Sequence, residues 1–125
     1  MLRVTPWYAA ALAVLFLFLS VRVIIARRVG NVGFGSPSGS DLERRVRVHA
    51  NFAEYTPFAL LLLGMAELRG ASVLWLHAAG PCLLLGRLAH AIGVSRGRTD
   101  ELGRILGMTG SQTAILIGAI LIVTT

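Results

Sequence analysis

The chain has 125 residues, 55% of them hydrophobic and only 14% charged. A soluble domain of this size needs more charge to cover its surface, so the composition excludes one and points to a membrane protein, with about four spans of roughly 20 residues using most of the chain. The net charge of +6 raises nucleic acid as a partner, but all twelve basic residues are arginine and they cluster at the ends of apolar runs, which is the pattern of the positive-inside rule and excludes that class.

The first apolar run predicts a helix over about 7–27. It is too long for the apolar part of a signal peptide and ends in Arg27-Arg28, not in a small-residue cleavage site. Trp7 and Tyr8 suit an interfacial aromatic belt. Arg22 lies inside the span, close enough to its end to snorkel to the surface. Gly30 to Gly39 reads as a loop by its Gly, Ser and Pro content. Ser40 with Glu43 three residues on is a capping-box pattern and starts a second helix over 41–68. At 1.5 Å per residue that helix is roughly 40 Å long and exceeds the ~30 Å hydrocarbon core, so its first turns protrude. Pro57 falls inside it.

Glu67 to Ala71 predicts a tight turn. A third helix follows over about 72–92, with a kink at Gly80-Pro81. Cys82, the sole cysteine, is read as a small buried hydrophobe, and His77 as an interfacial histidine. Val94 to Asp100, with Arg96 and Arg98, reads as a short polar loop. The fourth helix covers about 101–123. Its Gly103/Gly107 and Gly110/Ala114/Gly118 series let helices approach closely. The expected fold is all-α, a single four-helix membrane bundle over 1–125. The arginine-rich first and third loops put those loops in the cytoplasm and both termini outside.

This orientation brings the intramembrane polar residues to one depth. Arg47, Asn51 and Glu54 sit at i, i+4 and i+7 on helix two and share a stripe. Arg87 and His90 lie one turn apart near the cytoplasmic end of helix three, and Arg104 lies in the first turns of helix four. A charge at mid-membrane costs about 2.5–3.5 kcal/mol on insertion scales, so such groups face a partner or a wet cavity. Three arginines, with Arg27 nearby, against Glu54 select an anionic ligand, because guanidinium groups bind carboxylates bidentately. Asn51 and Glu54 suit an ammonium or amide on the same molecule. The alternative is that Glu54 pairs with Arg47 or Arg87 only to make both tolerable in lipid. His49 lies off the stripe and is read either as a ligand facing a neighbouring subunit or as a simple packing residue. No metal-binding or phosphate-loop motif is present.

The run R-V-H-A-N-F-A-E-Y-T-P (Arg47 to Pro57), followed by G-R-L-A-H (Gly86 to His90), resembles the MAPEG family, the membrane-associated proteins of eicosanoid and glutathione metabolism, and most of all its small bacterial members. The resemblance implies a homotrimer of four-helix bundles in a bacterial inner membrane, with glutathione as co-substrate near the cytoplasmic face. It implies glutathione contacts at Arg47, Asn51, Glu54 and Tyr55, with Arg27 gripping a carboxylate. It makes Arg104, followed by Thr109 and Gln112, the residue that holds the thiolate. It implies a transferase or peroxidase acting on apolar electrophiles from the bilayer. The alternatives are a non-catalytic binding protein for a small anionic ligand, or a structural trimer. His90 stands where several relatives carry tyrosine. Val94, Ala50 and Met108 also depart from the family pattern.

Overall fold

The computed structural model describes residues 1–96 and 101–125. Among them are four helices in chain order, α1 (Thr5–Gly30), α2 (Asp41–Leu68), α3 (Val73–Arg96) and α4 (Glu101–Thr124), and no strand. Three of these, α1, α3 and α4, are long and apolar enough to cross a membrane. The fourth, α2, has the length but carries the polar stripe.

Local chemistry explains the ends. Pro6 suits the first turn of α1, where no helical partner exists for its missing N–H. Asn31 stops α1 in the left-handed region (φ 50°), and the Val32 amide donates to the Arg27 carbonyl at 3.0 Å. Ser40 caps α2: its hydroxyl accepts from the Glu43 amide at 3.0 Å. The Glu43 carboxylate reaches back to the Gly39 amide at 2.6 Å, completing a reciprocal cap. Gly70 closes the turn into α3 with φ 92°. Pro57 and Pro81 both lie inside continuous helices. One expectation is corrected here. Val94, Ser95 and Arg96 belong to α3 and not to a loop, because Gly93 packs against α4 and does not break the helix. The remainder of the expected loop, including Arg98, lies outside the described residues.

In the bundle, α2 packs against all three other helices, α1 also touches α3, and α1 and α4 make no contact among the described residues. The buried residues of α1 are Thr5, Leu12 and Leu19, a single stripe at sevenfold spacing. The opposite side of α1, including Val14, Leu17, Phe18 and Ile24, is exposed and apolar, as a lipid-facing helix should be.

The α3–α4 seam is built on glycine. A Cβ on Gly110 would lie 2.6 Å from the Cys82 carbonyl, and one on Gly93 would lie 2.8 Å from the Arg104 amide. Gly107 sits directly beneath His90. Only bare backbone permits this approach, and it sets His90 beside Gly107 and Arg104 beside Gly93, one turn apart along the seam.

At the other end of the bundle, Glu67 of α2 caps α1. Its carboxylate accepts the amides of Arg3, Val4 (2.7 Å) and Thr5 (2.8 Å). A carboxylate at a helix N-terminus satisfies otherwise unpaired donors, and α1 has no side-chain cap of its own. Nearby, the Tyr8 ring lies on Gly80 and its hydroxyl is 2.8 Å from His77 Nδ1.

Candidate functional site

The polar stripe of α2 faces α3 and α4 at the end of the bundle that carries the α1–α2 loop. There a cavity of about 920 Å³ is lined by Arg47, Asn51 and Glu54 from α2, His90 and Val94 from α3, and Arg104 from α4. Ser38 and Gly39 from the loop, and Glu43, Arg44 and Ala50 from α2, complete its wall. A second cavity of about 520 Å³ adjoins it, lined by Glu101, Arg104, Ile105, Met108 and Thr109 of α4 with Asn51 and His90. The two cavities share Asn51, His90 and Arg104. A third crevice, about 240 Å³ between α1 and α2, is apolar and lined by residues such as Leu12, Phe16, Phe52 and Leu60.

Arg47, Asn51, Glu54, His90 and Arg104 therefore share one cavity. Arg47, Glu54 and Arg104 are exposed within it, whereas His90 is largely buried. Among the described residues Glu54 makes no ion pair with Arg47 or Arg87; the ion pairs are those of Asp41 with Arg44 and Arg45. The pairing alternative raised by the sequence is thus not formed within the protomer. Among the described residues the Arg47 and Arg104 guanidinium groups, on facing helices, make no ion pair, and neither does the Glu54 carboxylate two turns along α2 from Arg47.

Arg87 is placed differently. It is 1% exposed and lines neither cavity. Its Nη1 donates to Asn51 Oδ1 at 2.6 Å, and its Nη2 donates to the Gly107 carbonyl at 3.0 Å. The guanidinium lies 5.9 Å from the Tyr55 ring centroid, a cation–π distance. Arg87 thereby ties α3 to α2 and α4 and fixes the orientation of the Asn51 amide. That amide in turn donates from Nδ2 to the Met108 sulfur at 3.5 Å. Tyr55 lies behind Arg87 and lines neither cavity.

Arg27 and His49 also stand away from the cavity. Arg27 Nη1 donates to the carbonyls of Gly35 (2.9 Å) and Gly33 (3.5 Å) in its own loop. His49 faces α1, with Nε2 2.9 Å from Ser20 Oγ and its ring stacked on Phe16. Sequence reasoning missed several lining residues. Glu43 and Arg44 lie one turn before Arg47, while Glu101 and Met108 flank Arg104 at i−3 and i+4. Extending each polar stripe by one helical turn would have found them. No group of three or more metal-ligating side chains occurs among the described residues.

A family model described as the MAPEG family matches residues 5–124. The chain belongs to the MAPEG family. It is 36% identical over 90 residues to the inner membrane protein YecN of Escherichia coli K12, covering 72% of this chain and 69% of that relative, and equally similar to its counterpart in the O6:H1 strain. This is an integral membrane protein of that family. The clustered residues Arg47, Asn51, Glu54 and His90 all fall in the stretch that carried the resemblance.

Proposed function

We propose that this MAPEG protein binds glutathione, or a similar thiol, in the larger cavity and uses it as a membrane-bound transferase or peroxidase. One observation carries the reading: Arg47, Asn51, Glu54, His90 and Arg104, drawn from three helices, line a single cavity of about 920 Å³. Arg47 and Arg44 suit the carboxylates of a multiply carboxylated ligand, and Glu54 with Asn51 suits its ammonium or amide groups. Arg104, on the border of the two cavities, suits the sulfur.

The mechanism is thiol activation. A free thiol has a pKa near 8.5, and lowering it by about two units takes roughly 2.7 kcal/mol of preferential thiolate stabilisation. A guanidinium in a partly dry site has that capacity. The thiolate then attacks an apolar electrophile and expels its leaving group, or takes the distal oxygen of a hydroperoxide to release an alcohol.

The same reading places the protein in a bacterial inner membrane, as the name of its Escherichia coli relative says of that protein. It places the polar cavity on the cytoplasmic side, where the arginines of the α1–α2 connection lie. It assembles the chain as a homotrimer, since Arg47, Glu54 and Arg104 line the cavity yet are exposed in the single chain, where a neighbouring copy would cover them.

The test is glutathione binding to detergent-solubilised protein, followed by ultraviolet difference absorbance in the thiolate band. Binding with a thiolate signal that disappears in Arg104→Ala is the expected result. Binding without that signal points to a ligand-binding protein without turnover, a reading favoured by Val94, which lines the cavity where the family pattern has a phenol. No binding at millimolar glutathione removes the proposal.

A further inference from the structure

The second cavity raises the question of what meets the thiol, and its charges suggest an answer. It is lined along one stripe of α4 by Glu101, Arg104, Ile105, Met108 and Thr109. Ile105 is exposed on the outside of the bundle, as are its apolar neighbours Leu102 and Leu106, so this cavity opens toward lipid. Glu101 is the first residue of α4 and is exposed. It makes no ion pair with any described residue. An amphiphile entering from the leaflet keeps its charged head at the membrane surface, which is the level of Glu101.

The larger cavity has the opposite character. Arg44, Arg47 and Arg104 outnumber Glu43 and Glu54 there. Among the described residues Arg104 is the arginine common to both. Once an anionic sulfur neutralises it, Glu101 is the uncompensated charge among the described residues of the smaller cavity.

We propose that Glu101 is a specificity determinant that excludes anionic co-substrates, so that the apolar molecule received by the smaller cavity is uncharged or cationic, not a free carboxylate. This rests on the reading of the larger cavity as a thiol site. Two like charges several ångströms apart at a partly solvated surface are worth roughly a fivefold effect on binding, and salt screens it.

The experiment compares two probes of the same shape, chlorodinitrobenzene and its carboxylated analogue chlorodinitrobenzoate. Their binding to the full-length protein in detergent is measured with and without glutathione sulfonate, which carries an anion in place of the thiol and cannot react. The wild type should prefer the neutral probe, and more strongly with the sulfonate bound. Glu101→Gln should narrow the preference by roughly fivefold by improving only the anionic probe, and Glu101→Lys should reverse it. High salt should erase the difference between wild type and Glu101→Gln. If Glu101→Gln leaves the ratio unchanged, or if the wild type binds both probes equally, the inference is overturned. If glutathione sulfonate fails to bind, the thiol reading fails, while the probe comparison in its absence still decides the role of Glu101. Where turnover is seen, the ratio of kcat/KM for the two electrophiles should follow the binding ratio.

Discussion

Arg87 is buried and donates to Asn51 and to the Gly107 carbonyl, whereas Arg104 is exposed and borders both cavities. The two arginines therefore make different predictions. Arg87→Ala removes a strut that joins three helices and leaves the Asn51 carbonyl without its donor. Losing hydrogen bonds from a charged group, together with the space it filled, costs roughly 2–4 kcal/mol, so the thermal midpoint in detergent should fall clearly. Arg87→Lys should not restore it, because an ammonium cannot span two acceptors in a fixed fork. Arg47→Ala, Glu54→Ala and Arg104→Ala should leave the midpoint nearly unchanged and weaken thiol binding at least tenfold. An Arg87→Ala variant as stable as the wild type would show that the buried guanidinium is not a strut. From sequence, Arg87 and His90 look alike, being one turn apart on a polar edge. What separates them is the rotation of α3 against α4, and the close glycine contacts set that rotation. Arg27 was equally illegible, since its partners depend on the path of a loop that turns at Gly35 with φ 67°.

At the level of elements, the four helices were legible as four long apolar runs, and the start of α2 also from the pairing of Ser40 with Glu43. The small-residue series of α4 was legible as a packing signal, but its partner was not. The contacts assign most of it to α3, with Gly107 under His90 and Gly110 against Cys82, and give Gly118 to Leu62 of α2. The far end of α3 was read one turn too short, because Val94 to Asp100, with Arg96 and Arg98, reads as a polar loop when the contact of Gly93 with α4 is unseen. Gly107→Ala should therefore cost about 1–3 kcal/mol through overpacking. It should also weaken thiol binding, although Gly107 lines neither cavity, because it displaces the backbone that carries His90. Gly64 supplies the control. A Cβ there meets nothing within 4 Å, so Gly64→Ala should gain about 0.5–1 kcal/mol from helix propensity and leave binding untouched. Unfolding midpoints and glutathione titrations on the pair test both statements, and equal behaviour of the two variants would refute the close-contact account of the α3–α4 seam.

On the scale of the whole molecule, the bundle has two chemically different ends. One holds Arg27, Arg28, Arg44, Arg45 and Arg96 and opens into the polar cavities. The other holds Arg3 and Arg69, and its single acidic residue, Glu67, is committed to the start of α1. The asymmetry was readable in the sequence because it depends on charge counts at span ends and not on side-chain placement. It predicts the topology, since arginine-rich connections are retained in the cytoplasm. Cysteine labelling measures this directly. Cys82→Ala removes the native thiol, after which Ser38→Cys reports the cavity end and Ser72→Cys reports the opposite turn; both serines are exposed. In spheroplasts an impermeant maleimide should label Ser72→Cys, and it should label Ser38→Cys only after lysis. Because Ser38 lines the larger cavity, saturating glutathione sulfonate, which carries no thiol to consume the maleimide, should slow its labelling in lysed membranes and leave Ser72→Cys unaffected. The reverse labelling pattern would turn the protein over in the membrane and make its cavity face the outside. Protection by glutathione sulfonate would then still report occupation of the cavity, so orientation and binding are decided separately by one set of samples.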